Sequence, residues 1–228
     1  MIVLMSAFLL LSAFSCGGGN KANSTSEQSE ETAVNVPQFD ADSAYLYVKN
    51  QVDFGPRVPN TKEHVACGNY LAGQLEAFGA QVTNQYADLI AYDGTLLKAR
   101  NIIGSYKPES KKRIALFAHW DTRPWADNDP DEKNHNTPIL GANDGASGVG
   151  ALLEIARLVN QQQPELGIDI ILLDAEDYGA PQFYTGQHKE EFWCLGSQYW
   201  ARNPHVQGYN ARFGICLLYT SDAADDKA

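Results

Sequence analysis

Arg113–Asp121 reads RIALFAHWD and Ile168–Asp177 reads IDIILLDAED. Each is a short apolar run that ends abruptly in ionisable residues. RIALFA and IDIILL are long enough for buried strands and too short for helices. Between them, Asp121–Pro138 is rich in Pro, Asp and Asn and reads as a loop. Ser147–Val159 follows, with Val149, Leu152, Leu153, Ala156 and Val159 on one helical face. The order strand, loop, helix, strand implies a parallel pair joined by a right-handed crossover. The predicted fold is therefore α/β, a mostly parallel central sheet with helices on both faces.

Working outward, Pro37–Gly55 is predicted helical, with Ala44, Val48 and Val52 four apart. Phe54–Pro59 (FGPRVP) breaks it. A second helix runs from the N-cap Thr61 to Phe78, with Gly79 as its stop. Residues 80–106 read as strands joined by a turn at Asp93-Gly94. Arg212–Ile215 looks like the start of another buried strand.

In an open α/β sheet, ligands sit beyond the carboxyl ends of the strands. There the sequence places His119 and Asp121 after the first strand, and Asp174, Glu176 and Asp177 after the second. Asp144 precedes the intervening helix, in GANDGASG. One imidazole and several carboxylates form the ligand set of a catalytic zinc site. Of the neighbours Glu176 and Asp177, one carboxylate can bind metal while the other moves protons. Each feature alone has a plainer reading. A strand-end His is commonly structural, Asp144 could cap its helix, and an acidic pair after a strand is commonly a solvated loop. It is their joint order that points to a metal. Trp193 lies near the same rim as a candidate substrate-binding residue, and Trp120 and Trp125 are weaker candidates. The acidic stretch Asp127–Glu132 lacks EF-hand spacing and reads as a solvated loop. His64, His135, His188 and His205 read as surface residues. Cys67, in phase with Leu71, Leu75 and Phe78, reads as a core thiol. Whether it pairs with Cys194 stays open.

The chain has 228 residues and a net charge of −11, which excludes a nucleic-acid partner for want of a basic face. Met1–Phe14 is apolar, uncharged and too short for a membrane span. It closes on Ser15-Cys16 and resembles a bacterial lipoprotein signal, with Cys16 the lipidated residue. A plain secretory signal is the alternative. Residues 17–37 are Gly-, Ser-, Thr-, Asn- and Glu-rich, with too little apolar surface to fold, and read as a tether. The expected product is exported, lipid-anchored at the periplasm or outer membrane of a Gram-negative bacterium, and touches membrane only through that anchor. Residues 216–228 read as a non-native tail resembling a translated sequencing adapter. On that reading 38–215 is a partial catalytic domain.

FGPRVP, AHWDTRP, GANDGASGVGALLEIARL, LLDAEDYG and WCLGSQYWARNP together resemble the zinc aminopeptidase and glutaminyl cyclase superfamily. Within it they are most similar to lipoprotein glutaminyl-peptide cyclotransferases. The resemblance implies Asp144 and Asp177 as zinc ligands and Glu176 as general acid/base. It implies His119 as a ligand in the two-zinc aminopeptidases, kept in the one-zinc cyclases. It also implies a further His ligand late in the chain, which this sequence lacks, so that the chain as written is expected to be inactive. The implied reaction cyclises an N-terminal glutamine of peptides or proteins to pyroglutamate with release of ammonia. The alternatives are a dinuclear zinc aminopeptidase and a non-catalytic surface binding module.

Overall fold

A computed structural model describes residues 35–217. The chain divides into two units, Met1–Val36 and Pro37–Ala228, and the second carries every element below. The expected signal with Cys16, most of the expected tether and residues 218–228 lie outside the described residues. No described helix is long and apolar enough to cross a membrane.

Helices α1 (Ala41–Val52) and α2 (Lys62–Ala77) come first, followed by the hairpin β1 (Gln81–Ile90) and β2 (Leu96–Tyr106). Then come β3 (Arg113–His119), α3 (Ala146–Gln161), β4 (Gly167–Leu173), α4 (Leu195–Arg202) and β5 (Gly214–Cys216). Local chemistry sets several boundaries. The Asp40 carboxylate accepts from the N–H groups of Asp42 and Ser43, and the Thr61 hydroxyl from that of His64, which satisfies donors a helix start leaves free.

The sheet order is β1-β2-β4-β3-β5. β3 pairs parallel with β4 and β5, whereas β2 pairs antiparallel with β1 and β4. The α/β architecture is as expected, but the sheet is mixed, because the hairpin β1–β2 extends it antiparallel from β4. The part that bears the site, β4-β3-β5, is the parallel part.

Period-two alternation sorts the strand side chains onto two faces. Ile102, Leu116, Ala118, Ile168, Ile170 and Leu172 pack with Leu71 and Leu75 of α2 and Leu152, Leu153 and Ala156 of α3. Ile103, Ala115, Ile171 and Leu173 meet Trp200 of α4 on the other side. Burying each large aliphatic side chain contributes about 1.5–3 kcal/mol, so these layers hold the strand ends in fixed register. Helix α4 lies in a stretch for which the sequence analysis predicts no element. It is eight residues long, and Cys194 at its start caps nothing with its side chain.

Candidate metal centre

The β3–β4 register places His119 opposite Leu173, and the Trp120 N–H donates to the Leu173 carbonyl at 3.0 Å. The residues just beyond both strands therefore share one rim. Asp144 reaches that rim from the start of α3. It caps no helix: the cap position is Gly145, at φ 88°, with no side-chain cap bond. A Cβ on Gly145 would lie 3.0 Å from the Asp121 carbonyl and 3.2 Å from the His119 ring, so glycine serves both the turn and the close approach.

His119 is buried between two carboxylates. Its Nδ1 lies 3.3 Å from Asp121 Oδ1 and its Nε2 lies 2.8 Å from Asp144 Oδ1. Burial opposes charge on the ring, but Asp121 and Asp144 outweigh it and hold His119 well above its ordinary pKa. Asp121 is fully buried and also accepts from the backbone N–H groups of Glu176 and Asp177, both at 3.1 Å. Burial works against its charge too, yet His119 and those two N–H groups hold its pKa below the ordinary carboxylate value. Asp121 thus locks the imidazole and the 176–177 backbone into one unit, as a partner behind a ligand does.

One nitrogen or oxygen atom from each of His119, Asp144 and Asp177 falls within 4.8 Å of the others. Asp177 Oδ2 is buried with no hydrogen-bond partner among the described residues. Burial pushes the Asp177 carboxyl up to about 8, and the carboxylates of Asp121, Asp144 and Glu176 add to the rise against the pull of His119. Glu176 is raised as well, first by burial and then by Asp121 and Asp144. An orphaned buried oxygen among like charges is costly. A divalent cation would remove that cost, so the donor set fits zinc.

Several residues that hold this rim escaped the sequence reading. His64, expected at the surface, is buried. Its Nε2 sits 3.0 and 2.9 Å from the two Asp174 oxygens, and its ring stacks on Trp120 at 4.3 Å. Trp120 is fully buried in the core and lines no pocket. His205 is also covered, its side chain 3% exposed. Arg57, from FGPRVP, is fully buried and donates to the carbonyls of Trp120, Leu140 and Gly141, tying the loops before and after the site. The visible signal for it was a lone cation set between two prolines.

Residues 128–132 are largely exposed, as expected of a solvated loop, but Asp127 at its start is not. It is buried and takes both ends of the Arg123 guanidinium, at 2.7 and 2.5 Å. Arg123 also donates to the Asp177 carbonyl at 3.1 Å, and its guanidinium lies 4.8 Å from the Trp193 ring centroid and 5.6 Å from that of Trp125. Trp193 therefore stands at the rim, half-buried, with one face on Arg123. Trp125 joins Tyr92 and Tyr178 in edge-to-face contacts nearby. Cys67 lies in the core as expected, and Cys67 and Cys194 are both free thiols.

Fold and site together define an α/β protein with a candidate metal centre at the carboxyl ends of its parallel strands. The chain belongs to peptidase family M28, which matches residues 101–217. It is 94% identical to the solved Bacteroides thetaiotaomicron glutaminyl cyclase bound to N-acetylhistamine, with a TM-score of 0.79, over 80% of this chain and 62% of that one. A structure of a leucine aminopeptidase precursor from Bacteroides thetaiotaomicron VPI-5482 matches equally, at 94% identity and TM-score 0.79, over 80% of this chain and 63% of the other. Tannerella forsythia glutaminyl cyclase is 58% identical with a TM-score of 0.77, over 79% and 62% of the two chains. This chain spans less than two thirds of each of these proteins.

Proposed function

We propose that this chain belongs to a zinc-dependent glutaminyl-peptide cyclotransferase. The observation that carries the reading is Glu176. It is a partly buried carboxylate with a raised pKa, adjacent in sequence to Asp177 and facing the same rim as His119 and Asp144. The 94% identity to a solved glutaminyl cyclase supports it.

In this reading His119 Nε2, Asp144 and Asp177 hold the metal, and Asp121 keeps the Nδ1 proton of His119 and so fixes the ring. A bound zinc supplies Lewis-acid polarisation of the γ-amide carbonyl of an N-terminal glutamine. Glu176 takes the proton of the α-amine as that nitrogen attacks the carbonyl, and returns it to the departing ammonia. A carboxylate raised by burial suits both halves of the task, because it binds and releases a proton closer to neutrality. Trp193, stiffened by Arg123, offers an apolar face to the substrate. The nucleophile is part of the substrate, so the protein's share is orientation and charge stabilisation.

The competing reading is a two-metal aminopeptidase. It is favoured by the 2.8 Å contact of His119 with Asp144, which brings a second potential ligand onto the shared carboxylate. The deciding assay offers a Gln-initiated peptide to the zinc-loaded protein. Chelator-sensitive ammonia release with a blocked peptide N-terminus supports the cyclase. Free amino acid supports the aminopeptidase, and neither product, with metal bound, supports a binding module. The proposal includes export and lipid anchoring at Cys16. Labelling by a fatty-acid probe that survives Cys16→Ala would overturn it.

A further inference from the structure

One long edge of the sheet has no strand beside it among the described residues. Strand β1 ends the order β1-β2-β4-β3-β5, is 10 residues long and pairs with β2 at every residue from Gln81 to Ile90, without a bulge. The Ala91 N–H donates to the Thr95 carbonyl at 2.9 Å, which fixes the alternation of the antiparallel ladder. The odd residues of β1 bond to β2, and Val82, Asn84, Tyr86, Asp88 and Ile90 turn their N–H and C=O groups outward. Their opposites on β2 agree: the Lys98 N–H donates to Asn60 and the Leu96 carbonyl accepts from Asn60, both away from β1. The side chains on this edge are exposed too, Tyr86 by 67% and Ile90 by 55%. Monomeric proteins blunt such an edge with proline, lysine, a bulge or a short strand. Strand β1 has none of these, and its one charge, Asp88, is met by Lys98 at 2.8 Å.

We propose that this edge is an interface between two copies of the chain, paired antiparallel through β1 about a two-fold axis at Tyr86. In such a ladder the outward-facing residues oppose one another as hydrogen-bonded pairs, and Tyr86 is the midpoint of Val82–Ile90. Centring the pair there sets Tyr86 opposite Tyr86 of the second copy, Asn84 opposite Asp88, and Val82 opposite Ile90. Each match suits its chemistry: ring on ring, amide donor on carboxylate, aliphatic on aliphatic. Sliding one step either way shortens the ladder and sets Asp88 against Tyr86 or Val82. A second step in one direction brings the two Asp88 carboxylates face to face. The centred pairing uses the same edge of both copies and leaves none over, so it closes at a dimer. The Arg100 guanidinium bonds both Asn69 of α2 and Asn84, and lies 5.5 Å from the Tyr86 ring centroid, which steadies the residues nearest the axis. The interface is independent of the chemistry at the metal rim.

Sedimentation velocity on the 228-residue chain at rising concentration tests the dimer, and a monomer–dimer equilibrium is expected. Tyr86→Lys sets like charges against each other on the axis. It should raise the dimer's dissociation constant about tenfold and leave the circular dichroism spectrum unchanged, because the side chain is exposed. Cysteine substitution reads the register. Residues opposed as a hydrogen-bonded pair have Cα atoms about 5.5 Å apart, within reach of a disulfide. Tyr86→Cys should therefore cross-link the two copies under mild oxidation, above the level of the unaltered chain. Ile90→Cys should not, because it faces Val82. A monomer at every concentration, a dimer that Tyr86→Lys leaves intact, or cross-linking by Ile90→Cys as strong as by Tyr86→Cys would overturn the proposal.

Discussion

The two strands β3 and β4 carry a charged cluster at each end, and the clusters are opposites. At the end where β3 and β4 begin, Asp169 is fully buried but every acceptor is used. Arg113 donates to both of its oxygens at 2.6 and 2.8 Å, Ser105 donates at 2.6 Å and Tyr209 at 2.7 Å. At the other end, Asp121, Asp144, Glu176 and Asp177 gather around the His119 imidazole, and Asp177 Oδ2 has no donor among the described residues. Asp169 and Asp177 are both buried, yet Asp169 is held below the ordinary carboxylate range while Asp177 is pushed up to about 8. A buried charge that is fully paired serves structure. A buried carboxylate left without a donor among other carboxylates marks a place prepared for something else.

The comparison can be broken from either end. The largest effect is expected at the rim. Glu176→Gln removes the proton carrier and should lower turnover by about 10²–10⁴-fold while thermal unfolding stays nearly unchanged, as ammonia release and calorimetry would show. At the opposite end, Arg113→Met should leave metal binding intact and cost about 3–5 kcal/mol, because it strands Asp169, as urea unfolding would show. The pH dependence follows the same logic. A carboxyl held below its unfolded value contributes stability above that value and loses it as pH falls through the folded pKa. Arg113→Met should move this acid loss to higher pH.

Smaller effects sharpen the contrast. Zinc at about 100 times its Kd should stabilise the protein by about 2.7 kcal/mol, and Asp177→Asn should remove most of that gain. Equal stabilisation of both proteins would place the metal elsewhere. The smallest change is expected from His205, which burial lowers from its ordinary value of 6.5. The unfolded chain then takes up a proton that the folded one resists, so stability falls as pH drops below about 6.5 and levels off once pH is below the folded pKa. His205→Gln should flatten that segment of the stability curve, at a cost below that of Arg113→Met.

Much of this was legible in the chain alone. The apolar runs Arg113–Ala118 and Ile168–Leu173 announce buried strands, and the polar residues that end them announce the rim, because a strand end is where a buried chain must meet water or a ligand. Asp144 within GANDGASG, and Glu176 beside Asp177, were visible for the same local reason. What tertiary structure alone decided were pairings across long sequence separations. His64 could not be read as buried until Asp174 and Trp120 closed over it, 110 and 56 residues away. Asp127 looked solvated until Arg123 and the Gln182 N–H met it. The antiparallel pairing of β2 with β4, and the hydrogen bonds from the first N–H groups of α4 to the carbonyls of residues 174–176, leave no periodic mark, because backbone hydrogen bonds carry no side-chain signature. Local pattern determined which residues could do chemistry. Long-range packing decided which of them were left without a partner, and an unpaired buried group is a property of its surroundings that no single stretch of sequence contains.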